Sequence, residues 1–248
     1  MSRVTGRLAG CAAAAFFLAT FASAQDNGLN ARDAFWSAAD LVGKRPPTPQ
    51  KTAPKRSAAS AQKVAVKAPL GLRYSVLKRR ADGTFEEVSP DSEFHAGDSI
   101  RLSLMSNQPG YLYIIEHGSS GKWRPLYPPP GGSETKLSAG QEYLVPGDGS
   151  FQFDADSGQE KLFVLLSREP ETNLDETIAS LQRANGGALN DQVIAKLQGE
   201  VQSRDLVFTK ADDTASSSQS DKATYVVNKA SEKTADPHIV VNVVLSHK

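Results

Sequence analysis

The stretch Phe94–His117, FHAGDSIRLSLMSNQPGYLYIIEH, decides the fold of this chain. In its first half the apolar residues Ile100, Leu102 and Leu104 alternate with polar ones. A period of two is typical of a strand with one buried face and one solvated face. We therefore expect a half-buried strand here.

The second half of the stretch follows a short turn, Asn107–Gly110, and does not alternate. Tyr111–Ile115 is apolar or aromatic throughout, which predicts a strand covered on both faces. Such a strand needs a second layer of structure, as in a sandwich or a closed barrel.

The region 70–170 continues the β pattern. A second unbroken apolar run, Leu162–Leu166, predicts another doubly covered strand. Further strands are expected at Leu72–Leu77, Phe85–Val88, Trp123–Tyr127, Leu137–Val145 and Phe151–Phe153. About eight short strands separated by glycine and proline turns indicate an immunoglobulin-like β-sandwich in a mainly β chain.

The C-terminal third predicts a mixture of elements. Residues 171–204 have the pattern of a helical pair, with Leu174, Ile178 and Leu181 on one face of the first helix and a second helix from Asn190. Residues 205–248 predict additional edge strands around a serine-rich loop, packed on the same domain.

The first 24 residues have the form of a signal peptide: a basic start, an apolar run and the small residues Ala22-Ser23-Ala24. Cleavage near Ala24-Gln25 would place the protein in the periplasm or outside the cell. It would also remove Cys11, the one cysteine of the chain. The apolar run is shorter than the ~20 residues that span a bilayer, so we expect no transmembrane span in the mature chain.

Residues 25–43 predict a short helix with Asn30 as its N-cap. One interpretation is a nascent or docking helix, since isolated helices of this length are marginal in water. The other is a linear motif that places Phe35 and Trp36 in the groove of a partner.

Residues 44–69 form a linker with five prolines and no acidic residue, a composition that favours an extended, disordered N-terminal arm. Residues 25–81 contain 12 basic and three acidic side chains (+9), and residues 82–248 contain 14 and 25 (−11). The arm is either a solvated spacer or a tether to anionic lipid, anionic cell-wall polymer or its own acidic body. Nucleic acid is not an expected partner, because the arm lacks interleaved aromatic residues.

Four motifs along the central region resemble one bacterial family. They are Phe94-His95-Ala96-Gly97-Asp98, Pro109–Ile114, Gly121-Lys122-Trp123 with Leu126-Tyr127-Pro128, and Leu162–Ser167 followed by a proline. Over about residues 72–170 the chain is similar to domain of unknown function 4384. Domains of this kind occur alone in secreted proteins or beside kinase-like or caspase-like domains. The resemblance therefore implies a secreted domain and assigns no activity, ligand or functional residue.

The residues predict no catalytic or metal centre and no cofactor. A nucleophile elbow, P-loop or dinucleotide fingerprint is absent from the sequence, and the four histidines lack metal-ligand spacing. Glu116-His117 at a strand end is a possible functional pair, although adjacent residues alone specify no geometry. Asp154–Glu160 has carboxylates at alternate positions, which we interpret as a hairpin turn rather than a calcium loop.

Aromatic residues are the main binding candidates. Trp123 and Tyr127 are expected nearest the surface, with Tyr111 and Tyr113 on the neighbouring strand. The leading hypothesis is a non-enzymatic module for protein–protein or cell-envelope interaction, with an unknown protein or an envelope polymer as partner. The alternatives are a carbohydrate- or cell-wall-binding module that uses these aromatics, and an enzyme of unrecognised type.

Overall fold

The computed structural model describes residues 30–37, 69–118, 123–129, 132–183, 206–211, 221–229 and 238–248. The helices are α1 (Ala31–Trp36) and α2 (Thr172–Arg183). The strands are β1 (Leu70–Arg79), β2 (Phe85–Val88), β3 (Glu93–Phe94), β4 (Ser99–Ser106), β5 (Gly110–His117), β6 (Trp123–Tyr127), β7 (Lys136–Leu137), β8 (Glu142–Val145), β9 (Phe151–Gln152), β10 (Gly158–Ser167), β11 (Leu206–Lys210), β12 (Thr224–Asn228) and β13 (His238–His247). The predicted signal peptide, nearly all of the linker and the second C-terminal helix lie outside the described residues.

The described chain is mainly β, as predicted, and its strands form two sheets. The first sheet has the order β11-β12-β1-β4-β8, with β2 also paired to β1 and β9 to β4. The second has the order β3-β13-β10-β5-β6, with β7 also paired to β5. The strands predicted after residue 204 thus join the sheets built by the central region. β11 lies at an edge, whereas β12 and β13 each lie one position in, because both of their sides are paired.

The turn after Ser106 takes the chain from one sheet to the other. The two strands of the stretch 94–117 therefore do not pair, since β4 lies in the first sheet and β5 in the second. Asn107 holds this crossing in place: its side chain accepts a hydrogen bond from the Gly71 N–H (2.7 Å) and donates one to the Pro69 carbonyl (3.0 Å). These bonds satisfy a buried amide and attach the start of β1 to the crossing.

The main core lies between the two sheets. From the first sheet, β4 contributes Ile100, Leu102 and Leu104, the three residues that the alternation predicts to be buried. From the second sheet, β5 contributes Leu112 and Ile114. The inner faces of both sheets therefore share one apolar layer.

The outer face of the second sheet is also apolar and is covered by α2. Tyr113 and Ile115 on β5 pack with Leu174 and Ile178 on the helix. Neighbouring β10 does the same through Phe163 and Leu165. Both strands are thus buried on two faces, and the prediction from their unbroken apolar runs is confirmed.

Part of the outer face of the first sheet is covered by α1. Asn30 is the N-cap, as predicted, and its side chain accepts a hydrogen bond from the Arg32 N–H. Phe35 and Trp36 pack on Tyr225 and other outward residues of β12. Among the described helices, none is both long enough and apolar enough to span a bilayer.

Gly110 begins β5 where the backbones of β5 and β10 approach closely. A Cβ at this position would lie 2.7 Å from the backbone oxygen of Ser167, and a backbone atom cannot rotate away. Gly110→Ala should therefore lower the free energy of unfolding by about 1–3 kcal/mol, measured by urea denaturation. Gly147→Ala is the matched control, because a Cβ there meets nothing within 4 Å. Equal stability of the two variants would contradict this packing.

Candidate ligand-binding cavity

A cavity of about 290 Å³ lies between the two sheets, next to the main core. Its apolar wall is formed by residues from both sheets, namely Ile100, Leu102, Leu126, Phe151, Phe153, Leu162 and Leu245. Its polar lining consists of Glu116, Arg124, Gln152, Asp154 and Glu160. The volume is close to the lower limit of typical small-molecule pockets, ~300 Å³. It suits one side chain or a similarly small group.

Strand geometry explains why carboxylates line this cavity. Glu116 follows Ile114 on the inward face of β5, and Glu160 precedes Leu162 on the inward face of β10. The apolar layer ends at these positions, and the same face continues with charged residues. Each carboxylate side chain is nonetheless largely buried, with 12% of Glu116 and 14% of Glu160 exposed.

Glu116 carries a partly compensated charge. Burial raises its pKa, the nearby Glu160 carboxylate raises it further, and the Arg124 guanidinium opposes both effects. Arg124 Nη2 donates to Glu116 Oε2 at 2.6 Å. Because Arg124 is 66% exposed, solvent weakens this pair. Burial is thus the main cause of the raised pKa of Glu116, and the attraction of Arg124 is larger than the repulsion from Glu160.

His247 lies beside the cavity on the inward face of β13. Its side chain is completely buried, and neither ring nitrogen has a hydrogen-bond partner in the described part of the chain. Its ring centroid lies 4.9 Å from that of Phe153, and its Nε2 lies 3.5 Å from Glu160 Oε1. A buried imidazole is thus in contact with two lining residues.

The comparisons with known proteins give one family. Residues 93–170 match the model described as Domain of unknown function (DUF4384). The similarity to DUF4384 covers this segment of the chain. This confirms the resemblance inferred from the sequence motifs. Neither the comparison with curated proteins nor the comparison with solved structures found a match.

The DUF4384 match ends where α2 begins and does not include β1, β2 or the C-terminal strands. These outside elements nevertheless complete both sheets. The first motif of the match serves the fold: Phe94 is fully buried, Gly97 has a positive φ of 89°, and Asp98 accepts a hydrogen bond from Lys78 at 2.5 Å. The DUF4384 segment is therefore one part of a larger two-sheet body.

The four candidate aromatic residues do not form one surface. Tyr113 is fully buried, and its hydroxyl accepts a hydrogen bond from the Glu171 N–H at 3.0 Å. Tyr111 and Trp123 are half-buried and pack against the outer cluster under α2. Tyr127 packs against the main core between the sheets.

A β-bulge separates Trp123 from Tyr127. Two residues four apart share a face in a regular strand, but β6 shifts register against β5 between Ile114 and Ile115. Leu126 and Tyr127 consequently both pack inward, while Trp123 stays outside. Pro125, which cannot donate to the ladder, was the sequence signal for this irregularity.

The Glu116-His117 pair is divided by the same strand geometry. Glu116 points into the cavity, whereas His117 lies against Trp123 on the other face, with ring centroids 4.5 Å apart. Adjacent residues of a strand cannot act on one ligand from opposite faces. The residues grouped with Glu116 are instead Arg124 and Glu160.

Phe35 and Trp36 are covered by their own chain. Phe35 is fully buried and Trp36 is 6% exposed. Trp36 Nε1 donates to the Tyr225 hydroxyl at 3.3 Å, and this hydroxyl donates to Asp221 at 2.7 Å. In this structure the two side chains dock α1 on the body and are not presented to a partner.

The sequence pattern does not predict several of the lining residues. Asp154 and Glu160 were assigned to a hairpin turn, but the turn connects β9 of the first sheet to β10 of the second. The alternation of side chains along β10 could have indicated this role, because Glu160 lies on the same face as Leu162 and Val164. Among the described residues, no group of three or more His, Cys, Asp or Glu side chains could hold a metal ion.

Glu116 should make stability depend on pH. Its pKa is raised in the folded state above the ordinary value of 4.5, so the folded protein retains the proton longer than the unfolded chain. The contribution of Glu116 to the free energy of unfolding is then most favourable below about pH 4.5 and falls as the pH rises toward its folded-state pKa. Glu116→Gln removes this loss. Urea denaturation from pH 4 to pH 8 should therefore show that the free energy of unfolding of the variant increases relative to that of the wild type as the pH rises. Glu176→Gln, an exposed change on α2, should show no such trend. If the wild type instead becomes more stable relative to Glu116→Gln as the pH rises, the raised pKa of Glu116 is contradicted.

Proposed function

We propose that this protein is a secreted or periplasmic, non-enzymatic binding module that receives a protein or cell-envelope partner at the cavity between its sheets. The observation that carries the proposal is the cavity itself, which combines an apolar wall with largely buried carboxylates. Concave sites of this kind, with a few convergent polar groups, are the usual form of a ligand site.

We further propose that the two sheets form an immunoglobulin-like sandwich. The support is the shared core: inward residues of β4 pack with inward residues of β5 and β10. Modules of this architecture present recognition surfaces at the ends of the sheets, where loops meet. The cavity lies at such a position, since it includes Gly118 after β5 and Asp154 after β9.

The cavity is the favoured binding site because the helices cover parts of the outer faces of both sheets. α1 covers part of the outer face of the first sheet, and α2 covers part of the outer face of the second. The aromatic residues on those faces are engaged in packing. The cavity between the sheets, by contrast, combines apolar walls with polar groups that a partner can reach.

Carbohydrate binding is the second candidate, and the cavity also favours it. Phe151 is half-buried and lines the cavity with Gln152, Asp154 and Glu160, and an aromatic ring with nearby hydrogen-bonding groups is suited to sugars. This candidate no longer depends on a joint platform of Trp123 and Tyr127. It places the sugar between the sheets instead.

Affinity capture from envelope extract tests the proposal. Gln152 is exposed at the cavity, so Gln152→Trp should block entry without disturbing the core. We expect wild-type mature protein to retain one defined protein and Gln152→Trp to retain at least about tenfold less, equivalent to ~1.4 kcal/mol. Gln141→Trp, the same change at an exposed turn away from the cavity, should retain the partner normally.

The same variants distinguish the two candidates. Retention of the wild type on insoluble cell-wall polysaccharide, lost in Gln152→Trp, would favour carbohydrate. If retention on the polysaccharide is lost only in Trp123→Ala, the binding residue is Trp123 on the outer face and not the cavity. Unchanged capture by Gln152→Trp on both materials would overturn the proposal that the cavity is the binding site.

A further inference from the structure

We propose that the cavity receives an ammonium group on an unbranched alkyl stem, supplied by a lysine side chain of a protein partner. This inference rests on the proposed function, because it names the chemical group that the same cavity recognises. It follows from the charge, the polar atoms and the shape of the cavity.

The charge of the lining favours a cation. Three carboxylates, those of Glu116, Asp154 and Glu160, face one guanidinium, that of Arg124. Arg124 is already bonded to Glu116, so it does not offer an unengaged charge to an anion. A ligand ammonium near Glu116 and Glu160 would place a positive charge beside two largely buried carboxylates, and hydrogen bonds to charged groups are among the stronger ones.

His247 lies outside the cavity lining and is in contact with Glu160, one of the lining carboxylates. Its imidazole is fully buried and makes no hydrogen bond within the described chain, an arrangement that costs free energy. Its Nε2 is directed toward Glu160, 3.5 Å away, and its ring contacts Phe153. Glu160 therefore has a buried imidazole beside it in addition to the groups that line the cavity.

The apolar part of the lining fits an alkyl stem. Leu102 and Ile100 come from the first sheet, and Leu126 and Leu162 from the second. Lysine buries an aliphatic stem along apolar surface while its ammonium reaches polar groups. A cavity of about 290 Å³ accommodates such a side chain together with a few waters, each of which occupies ~30 Å³.

Titration with a matched pair of probes tests the inference. The probes are Nα-acetyl-lysine methylamide and Nα-acetyl-norleucine methylamide, which share an alkyl stem and differ in the ammonium. Binding to the full mature chain is followed by ¹H–¹⁵N chemical shifts of residues 116, 124 and 160. We expect the lysine probe to bind with a Kd of about 1 mM and the norleucine probe at least tenfold more weakly.

Variants assign the effect to the carboxylates. Glu160→Gln and Glu116→Gln should each weaken the lysine probe by about tenfold or more. Glu176→Gln, an exposed carboxylate on α2 outside the cavity, should bind as the wild type does. Thermal denaturation of each variant verifies that it is folded.

The possible failures are distinguishable. If the norleucine probe binds as well as the lysine probe, the cavity is a binding site but the ammonium assignment is overturned. If the lysine probe binds equally to all variants, or shifts residues elsewhere, the carboxylates do not recognise it and the inference is overturned. If neither probe binds while Gln152→Trp still abolishes partner capture, the proposed function stands and the lysine assignment falls.

Discussion

The structure depends on two neighbouring strands that are apolar on both faces. β5 and β10 pair over Lys161–Ser167 and supply inward residues to the core between the sheets and outward residues to the cluster under α2. Each fully buried aliphatic or aromatic side chain contributes ~1.5–3 kcal/mol. Neither strand could remain in water on either face, so both faces must be covered, and here the first sheet covers one and α2 the other.

The cavity lies where the inward faces of β5 and β10 change from apolar to charged residues. The inward face of β5 changes from Ile114 to Glu116, and that of β10 changes from Leu162 to Glu160. The first sheet still faces these positions through Ile100 and Phe151. Charged groups are thereby held between two layers, which explains why Glu116 is buried, why its pKa is raised and why the site is partly apolar.

The sequence predicted the architecture better than the site. Unbroken apolar runs identify doubly covered strands because burial acts on each residue separately, and the alternation of β4 identifies its inward face in the same way. The site depends on long-range relations that no local pattern contains. The crossing at Asn107 places β4 and β5 in different sheets, the bulge in β6 separates Trp123 from Tyr127, and α1 uses Phe35 to dock on its own sheet.

The most direct test of double coverage compares two neighbouring residues on β5. Ile114 packs between the sheets and Ile115 packs under α2, and both are fully buried. The free energies of unfolding of Ile114→Ala and Ile115→Ala, measured by urea denaturation, should each fall by about 2–5 kcal/mol. If either variant stays within ~0.5 kcal/mol of the wild type, as surface substitutions do, that face of β5 is not covered and the account is contradicted.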